Sequence, residues 1–292
     1  MKELTVLSGK GGTGKTTVAA ALASVAKNAV FCDNDVDAAD LHLIFKPEVK
    51  EVYTFNSGNK AVIQEENCSN CGLCEGKCRF NAIHINAAGQ HEINPFQCEG
   101  CRLCERVCPE NAITIIENNN NFWYVSDTRL GTLVHAKMGA GEENSGKLVT
   151  QVRQKAKDIA QASQAGFIIN DGPPGIGCAA ISSVTGTDLV LLVIEPTLSG
   201  LHDAKRLVEL IENFRIPILA AINKFDLNPT VTTNVIDFLT KKNIRLIGKI
   251  NFDKNVVYSM VAQKTVIEFS PGSKFSREIY YIWDEIKKHF SL

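Results

Sequence analysis

The sequence predicts an α/β protein: a doubly wound, mostly parallel sheet interrupted by a smaller α+β insert. Three observations carry that prediction. A short apolar strand, Leu4 to Leu7, runs into a glycine loop and then an alanine-rich helical stretch, Val18 to Lys27. Apolar strands recur later, at Ala29–Cys32, Phe167–Asn170, Asp188–Glu195 and Pro217–Ile222, separated by helical patterns. Between them the αβ alternation stops and cysteines take over. The expected organisation is a discontinuous core, residues 1–58 and 119–292, with an inserted domain at 59–118.

The opening element is the most informative. Ser8-Gly9-Lys10-Gly11-Gly12-Thr13-Gly14-Lys15-Thr16-Thr17 contains G-x-x-x-x-G-K-[ST] between a strand and a helix, the setting in which it cradles phosphate. Consecutive N–H groups of Gly11, Gly12, Thr13 and Gly14 can turn inward around a polyphosphate only where glycine allows unusual backbone angles. The helix N-terminus adds partial positive charge. Lys15 is expected to reach the β- and γ-phosphates, Thr16 to ligate Mg²⁺, and Thr17 to hold the α-phosphate side.

The second strand, Ala29–Cys32, ends in Asp33-Asn34-Asp35-Val36-Asp37. Carboxylates there point into the ligand crevice of a doubly wound sheet. Asp33 is expected near the metal, Asp37 and Asp40 as solvated turn residues, and a second helix from Asp37. Strand Phe167–Asn170 ends in Asp171-Gly172-Pro173-Pro174-Gly175. A carboxylate terminating such a strand is placed to hold Mg²⁺ through water, and the Gly175 N–H to sense the γ-phosphate. Gly131–Ala136 reads as a strand in which His135 is an ordinary histidine. The loop Gly139–Lys147 reads as a plain loop and N-cap with glycines that could bring it to a dimer face.

Lys10 narrows the class. The run K-G-G-T-G-K-T-T resembles the deviant Walker A of the MinD/ParA/nitrogenase-iron-protein class of P-loop ATPases. The resemblance implies ATP and ADP as ligands with Mg²⁺, and ATP-dependent closure of a homodimer, or of a heterodimer with a related ATPase. It also implies that Lys10 acts in trans on the partner's nucleotide, that Asp35 orients the attacking water, and that Asn223 reads the adenine edge. Asn251-Phe252-Asp253 stands where the family usually has I-P-x-D, so the base-side loop departs from the pattern. In the nitrogenase iron protein a cysteine at the offset of Cys178 ligates a shared cluster. The second cysteine such a cluster needs is missing from the 139–146 loop, so Cys178 is expected as a small buried residue, and Cys32 as core.

Eight of the ten cysteines lie in one window. Cys68-x-x-Cys71-x-x-Cys74-x-x-x-Cys78 recurs 30 residues later as Cys98-x-x-Cys101-x-x-Cys104-x-x-x-Cys108-Pro109. The offset also carries Asn81-Ala82-Ile83 onto Asn111-Ala112-Ile113, and Gly72 onto Arg102. Such a repeat implies two similar halves about a pseudo-twofold. Disulfide frameworks belong to small secreted domains, and zinc sites use two cysteine pairs rather than three close cysteines plus a fourth. The spacing is that of a bacterial two-cluster ferredoxin, in which the fourth ligand comes from the other repeat. One [4Fe–4S] cluster is therefore assigned to Cys68, Cys71, Cys74 and Cys108, and the other to Cys98, Cys101, Cys104 and Cys78. Arg79 follows Cys78 where the ferredoxin pattern usually has proline.

A net charge of −1 argues against a general polyanion binder, and nucleic acid is not an expected partner. Strand one begins within five residues of Met1, so no secretory leader is expected, and no apolar run approaches a membrane span. A cytoplasmic location in a reducing or anaerobic cell follows, since exposed clusters oxidise readily. The last helical stripe, Phe275, Ile279, Ile282, Trp283, Ile286 and Phe290, has a mixed-charge outer face, so it is expected to dock on the sheet rather than on a membrane. The expected function is an ATP-hydrolysing iron–sulfur protein that gates electron transfer to or from a redox client. Two alternatives are an iron–sulfur assembly or carrier ATPase of the Mrp kind, whose C-P-x-C motif is missing, and a MinD-like positioning ATPase with redox-sensing clusters.

Overall fold

A computed structural model describes residues 1–119, 121–139 and 144–292. The chain opens with strand β1 (Lys2–Ser8), helix α1 (Lys15–Val25), β2 (Ala29–Asp33), α2 (Leu41–Phe45) and β3 (Glu48–Phe55). The cysteine-bearing part follows: β4 (Asn59–Ile63), α3 (Leu73–Lys77), β5 (Ile83–Ile85), β6 (His91–Ile93), α4 (Leu103–Val107) and β7 (Ile113–Glu117). Then come β8 (Asn121–Thr128), β9 (Gly131–Lys137), α5 (Ser145–Ala162), β10 (Phe167–Pro174), α6 (Cys178–Val184), β11 (Leu189–Ile194) and α7 (Leu198–Glu212). The chain ends with β12 (Ile218–Asn223), α8 (Pro229–Lys241), β13 (Arg245–Ile250), α9 (Asn255–Val261), α10 (Val266–Phe269) and α11 (Lys274–His289).

Two compact units emerge. The first comprises Met1–Tyr53, Trp123–Lys137 and Ser145–Leu292; the second comprises Thr54–Phe122 and Met138–Asn144. Residue 120, in the polar run 118–121, and residues 140–143, within the expected 139–147 loop, lie outside the described residues.

The first unit is built on a nine-stranded sheet in the order β13-β12-β11-β1-β10-β2-β9-β8-β3. The ladders from β13 through β9 are parallel. Strands buried on both faces read as continuous apolar runs, as in Leu189–Ile194, where every residue is buried. Strands β8 and β9, adjacent and joined by Arg129 and Leu130, add a hairpin that the sequence reading did not anticipate. The expected second helix starts later than Asp37. Residues 34–40 form turns, and the apolar run Leu41–Phe45 supplies the helix.

Helices α1, α10 and α11 cover one face of this sheet, and α7 and α8 the other. The α11 stripe docks as expected: Phe275, Ile279, Ile282, Trp283 and Ile286 are buried, and Phe290 packs half-buried against the same core. Each fully buried apolar side chain of this kind contributes about 1.5–3 kcal/mol. No helix among the described residues is long and apolar enough to cross a membrane.

In the second unit each half is strand–helix–strand. β4 pairs with β7 and β5 with β6, both antiparallel. Ala61, Ala82, Ile83, Ile93 and Ile113 form a small core with Cys74 and Cys98, against which Cys78, Cys104 and Cys108 pack. Ser57 and Gly58 are tied to Asn118 by N–H···O bonds of 3.0 and 2.9 Å, closing the unit at its chain ends.

At the amino end of the parallel sheet lies a buried polar knot. Glu3 Oε1 accepts from Arg153 Nε at 2.9 Å, Arg153 Nη2 at 2.6 Å and Asn170 Nδ2 at 2.8 Å, and Lys157 lies 3.0 Å from Oε2. Glu3 and Arg153 are only 4% and 5% exposed. Removing one partner strands the other charge out of water, so Arg153→Ala is expected to destabilise the fold by about 3–5 kcal/mol. Urea denaturation reads this directly. A loss under about 1 kcal/mol would place the pair in the surface class.

Candidate functional site: a nucleotide cradle and two cysteine-lined cavities

In the first unit the phosphate loop leaves the carboxyl end of β1 and enters α1 through Gly14, which stands at φ 88°. A Cβ on Gly14 would lie 2.2 Å from Asn223 Nδ2, so the position excludes a side chain twice over. Asn223, at the end of β12, donates to Thr13 O at 2.7 Å, and Lys224 Nζ donates to Gly12 O at 3.1 Å. Two successive residues of β12 and its exit thus hold the loop in its open curve. The cavity above it encloses about 510 Å³ and is lined by Gly11 through Thr17, Asp35, Pro174, Asn223 and Asn251–Asp253. That is the size range of small-ligand sites.

The chemistry concentrates on Lys15. Its ammonium, 6% exposed, lies 2.9 Å from Asp171 Oδ1 and 3.7 Å from Asp35 Oδ2. Burial alone would lower its pKa, but Asp171 and then Asp35 outweigh that and raise it, so Lys15 stays charged. Asp171 and Asp33 are register partners on adjacent parallel strands. Burial, and next the Asp171 charge, push Asp33 well above the usual carboxylate range. Asp33 also accepts from the N–H groups of Asp35 and Leu41 at 3.2 and 3.0 Å, which shapes the turn that presents Asp35. Burial first, with Asp171, Asp37 and Asp40 adding to it against Lys15, raises Asp35 to about 6.

Three carboxylates against one ammonium are an excess of negative charge, and a divalent cation fits it. Asp171 Oδ2 is buried without a hydrogen-bond partner, as is Thr13 Oγ1. Unpaired buried acceptors are costly and rare. An Mg²⁺ ion, held through Asp171 and the Thr16 hydroxyl, would satisfy the former and lower the carboxylate pKa values.

Several expected residues stand in unexpected contacts. Lys10 bonds within its own chain, to Thr197 Oγ1 at 3.0 Å, Ser199 Oγ at 3.2 Å and Glu195 Oε2 at 3.3 Å. Glu195 also pairs with Lys224 at 2.9 Å. The Gly175 N–H donates to Ser8 O at 3.1 Å. Asn223 meets the phosphate loop, as described. Cys178 corrects the expectation of burial: it is exposed. It opens α6, whose inward stripe is Ala179, Ala180, Ser183 and Val184, which leaves Cys178 and Ile181 on the outer side. Cys32 is buried as expected. His135 is a buried strand histidine that burial, with His42 beside it, pushes down to about 4. Sequence reasoning missed Glu195 and Lys224, because a salt bridge between two strand ends has no local pattern.

In the second unit the eight cysteines line two cavities. Cys68, Cys71, Cys74 and Cys108 share one; Cys78, Cys98, Cys101 and Cys104 share the other. All eight are free thiols. The N–H of Ala112 points to Cys108 Sγ at 3.3 Å, and that of Ala82 to Cys78 Sγ at 3.4 Å, matching each other across the repeat. Gly72 and Arg102 both stand at positive φ, 76° and 64°, as caps of α3 and α4, so the sequence mismatch hides one backbone role. Arg102 offsets its strain with two bonds to Glu105, at 2.8 and 3.0 Å. Among the described residues no three His, Cys, Asp or Glu side chains converge as around a single metal ion. An iron–sulfur cube, whose ligands bind separate irons, keeps its thiolates further apart. Burial pushes Cys104 up to about 11, so any metal bound there would have to displace its proton.

Asp35 yields a test with a definite sign. It titrates near 3.9 when unfolded and at about 6 when folded, so the native state holds the proton more tightly. Stability is lost as pH rises through that window. In the presence of chelator, Asp35→Asn is expected to be more stable than the parent at pH 7.5, with the difference fading below about pH 4. Denaturation midpoints at both pH values check this, and an equal difference at both contradicts it.

Comparison with known proteins places this geometry. The family model for the CobQ/CobB/MinD/ParA nucleotide binding domain matches residues 4–266. Two uncharacterised proteins of Methanocaldococcus jannaschii are similar along their whole length. One is 33% identical, covering 98% of this chain and 96% of its own; the other is 24% identical, covering 97% and 98%. Among solved structures, the septum site-determining protein MinD of Pyrococcus horikoshii, complexed with Mg-ADP, superposes with a TM-score of 0.61 at 18% identity, covering 99% of this chain and 97% of that one. With its phosphate loop, its mostly parallel sheet and a family match across most of its length, the chain belongs to the CobQ/CobB/MinD/ParA nucleotide-binding family.

Proposed function

We propose that the protein binds and hydrolyses Mg·ATP and uses nucleotide-dependent dimer closure to gate electron transfer through two [4Fe–4S] clusters to or from a partner protein. The observation that carries this reading is the division of the eight cysteines into two fours, each made of three from one repeat and one from the other. That is the ligand logic of a two-cluster ferredoxin. A disulfide scaffold has no use for it, and zinc ribbons pair their cysteines differently. When bound, the clusters would supply one-electron chemistry. This chain's own residues bind them, exclude water from Cys74 and Cys98, and direct N–H groups at Cys78 and Cys108.

At the nucleotide, Lys15 would exchange Asp171 for the β- and γ-phosphates, freeing Asp171 for the metal. Asp35, the most accessible of the three carboxylates, would orient the attacking water. Gly175 would exchange Ser8 O for the γ-phosphate. Lys10 would leave Glu195, Thr197 and Ser199 for the partner's nucleotide. Each of these exchanges replaces a contact within the chain by a contact to triphosphate, which is how a γ-phosphate can drive a switch. The chain enters the cysteine-bearing unit through β3, soon after the Asp33–Asp40 segment, so motion of that segment has a short covalent route to the clusters.

Two experiments test the two halves. Protein prepared without oxygen is expected to carry about eight iron and eight sulfide per chain. Cys71→Ser and Cys108→Ser should each lose one cluster, and the double variant should keep the other, leaving about four iron. A double variant with no iron would break the crossed assignment. Lys10→Ala should bind nucleotide within a few-fold of the parent but hydrolyse it on the order of a thousand times more slowly. Parental turnover in that variant would remove Lys10 from the reaction.

A further inference from the structure

The two cysteine cavities are repeats of one another, and the places where the repeat fails carry information. At the 30-residue offset the linings correspond: Ile63 with Ile93, Leu73 with Leu103, Ala112 with Ala82. The N–H···S bonds from Ala112 and Ala82 match too, so they do not distinguish the sites. Three differences remain.

The first is a hydrogen bond. In the cavity of Cys98 the Ala61 N–H donates to Cys98 Sγ at 3.5 Å. Its counterpart in the cavity of Cys68 is the His91 N–H, which donates instead to Asn70 Oδ1 at 3.1 Å. Asn70 stands at φ 55°, and its counterpart Gly100 at φ 59°. Gly100 has no side chain to intercept anything, and none would fit, because a Cβ there would lie 2.2 Å from Asn59 O. The second difference is a cation: Lys60 Nζ donates to Cys98 O at 3.0 Å, and the counterpart of Lys60 is the neutral Gln90. The third is in the lining. Glu110 lines the cavity of Cys68, where the other has Phe80. The Cys98 cavity has its own carboxylate, Glu99, where the other has Ser69, and it has Arg102, bonded to Glu105, where the other has Gly72. His91 sits between Asn70 and Glu75, 3.0 Å from the Glu75 carboxylate.

Reduction adds a negative charge, so hydrogen bonds to sulfur and nearby cations raise a cluster's potential while carboxylates lower it. The hydrogen bond and the cation point the same way, while the lining carboxylates, Glu110 at one site and Glu99 at the other, offset each other. We propose that the two sites are redox-inequivalent, and that the site of Cys78, Cys98, Cys101 and Cys104 holds an electron in preference to the site of Cys68, Cys71, Cys74 and Cys108. Lys60 and Asn70 set the difference. The inference rests on the iron–sulfur reading above. With clusters held by these cysteines, the step would pass one electron from a 1+ core at the site of Cys68 to a 2+ core at the site of Cys98, with no proton or co-reactant needed.

The test uses the full chain, purified without oxygen and titrated potentiometrically with dithionite under EPR detection. Iron, sulfide and spin counts come first: fewer than two clusters per chain overturns the iron–sulfur reading itself, and this inference with it. With two clusters present, two reduction steps are expected, separated at least tenfold in equilibrium constant, about 59 mV. Lys60→Gln should lower the upper step at least roughly threefold in equilibrium constant and leave the lower one, while Lys60→Arg keeps the parental value. Asn70→Gly frees the His91 N–H for Cys68 and should raise the lower step, closing the gap from the other side. A single step in the parent overturns the proposal. So does Lys60→Gln moving the lower step or neither, or Asn70→Gly leaving the lower step in place. A merely structural role for either residue would change cluster content and not the order of the potentials.

Discussion

One buried ammonium among three carboxylates is the constraint on which the nucleotide-binding unit depends. Lys15 can stay charged at 6% exposure only because Asp171, Asp35 and Asp33 surround it. Those carboxylates can be there only because β1, β2 and β10 are parallel neighbours that end at one edge. The order of strands is therefore tied to the electrostatics of the site. The same cluster is poised: Asp33 and Asp35 are pushed up by burial, and Asp171 keeps one oxygen without a partner. On the proposed function, a divalent cation bound with a polyphosphate would relieve this cluster. On that reading, the resting contacts of Lys10, Lys15 and Gly175 would be placeholders, each on a partner that a triphosphate could replace.

The second unit answers to a different constraint. Its core is small, and five of its eight cysteines pack in or against it. On the iron–sulfur reading, a unit of this size would draw much of its stability from the clusters its thiols hold. The pseudo-twofold makes two sites at little cost in sequence, and the exceptions to it, Asn70 against Gly100 and Gln90 against Lys60, are where the two sites acquire different surroundings.

Legibility from sequence divided along physical lines. The phosphate loop was readable because it needs glycine at positive φ and a lysine at a fixed spacing, which local sequence reports. The crossed grouping of cysteines was readable because the repeated three-plus-one spacing resembles that of a two-cluster ferredoxin, in which the fourth ligand comes from the other repeat. The docking face of α11 followed from periodicity. By contrast, nothing local announces that Glu3 meets Arg153, or that Lys224 and Lys10 share Glu195. Cys178 was misread because a seven-residue helix is too short for its periodicity to say which side is in. The β8–β9 hairpin was missed in part because its first strand, Asn121–Thr128, mixes burial and exposure without strict alternation. Arg102 shows the opposite case, a residue change that conceals an unchanged backbone conformation.

On the proposed function, nucleotide and clusters share a free energy. An EPR-monitored redox titration without oxygen, run with ADP and then with a non-hydrolysable ATP analogue, tests it most directly. Coupling predicts that at least one midpoint differs between the two nucleotide states by tens of millivolts, about 59 mV for each tenfold of coupling. Midpoints that coincide in both states would contradict it, and would leave an ATPase and an electron carrier sharing a chain without sharing energy.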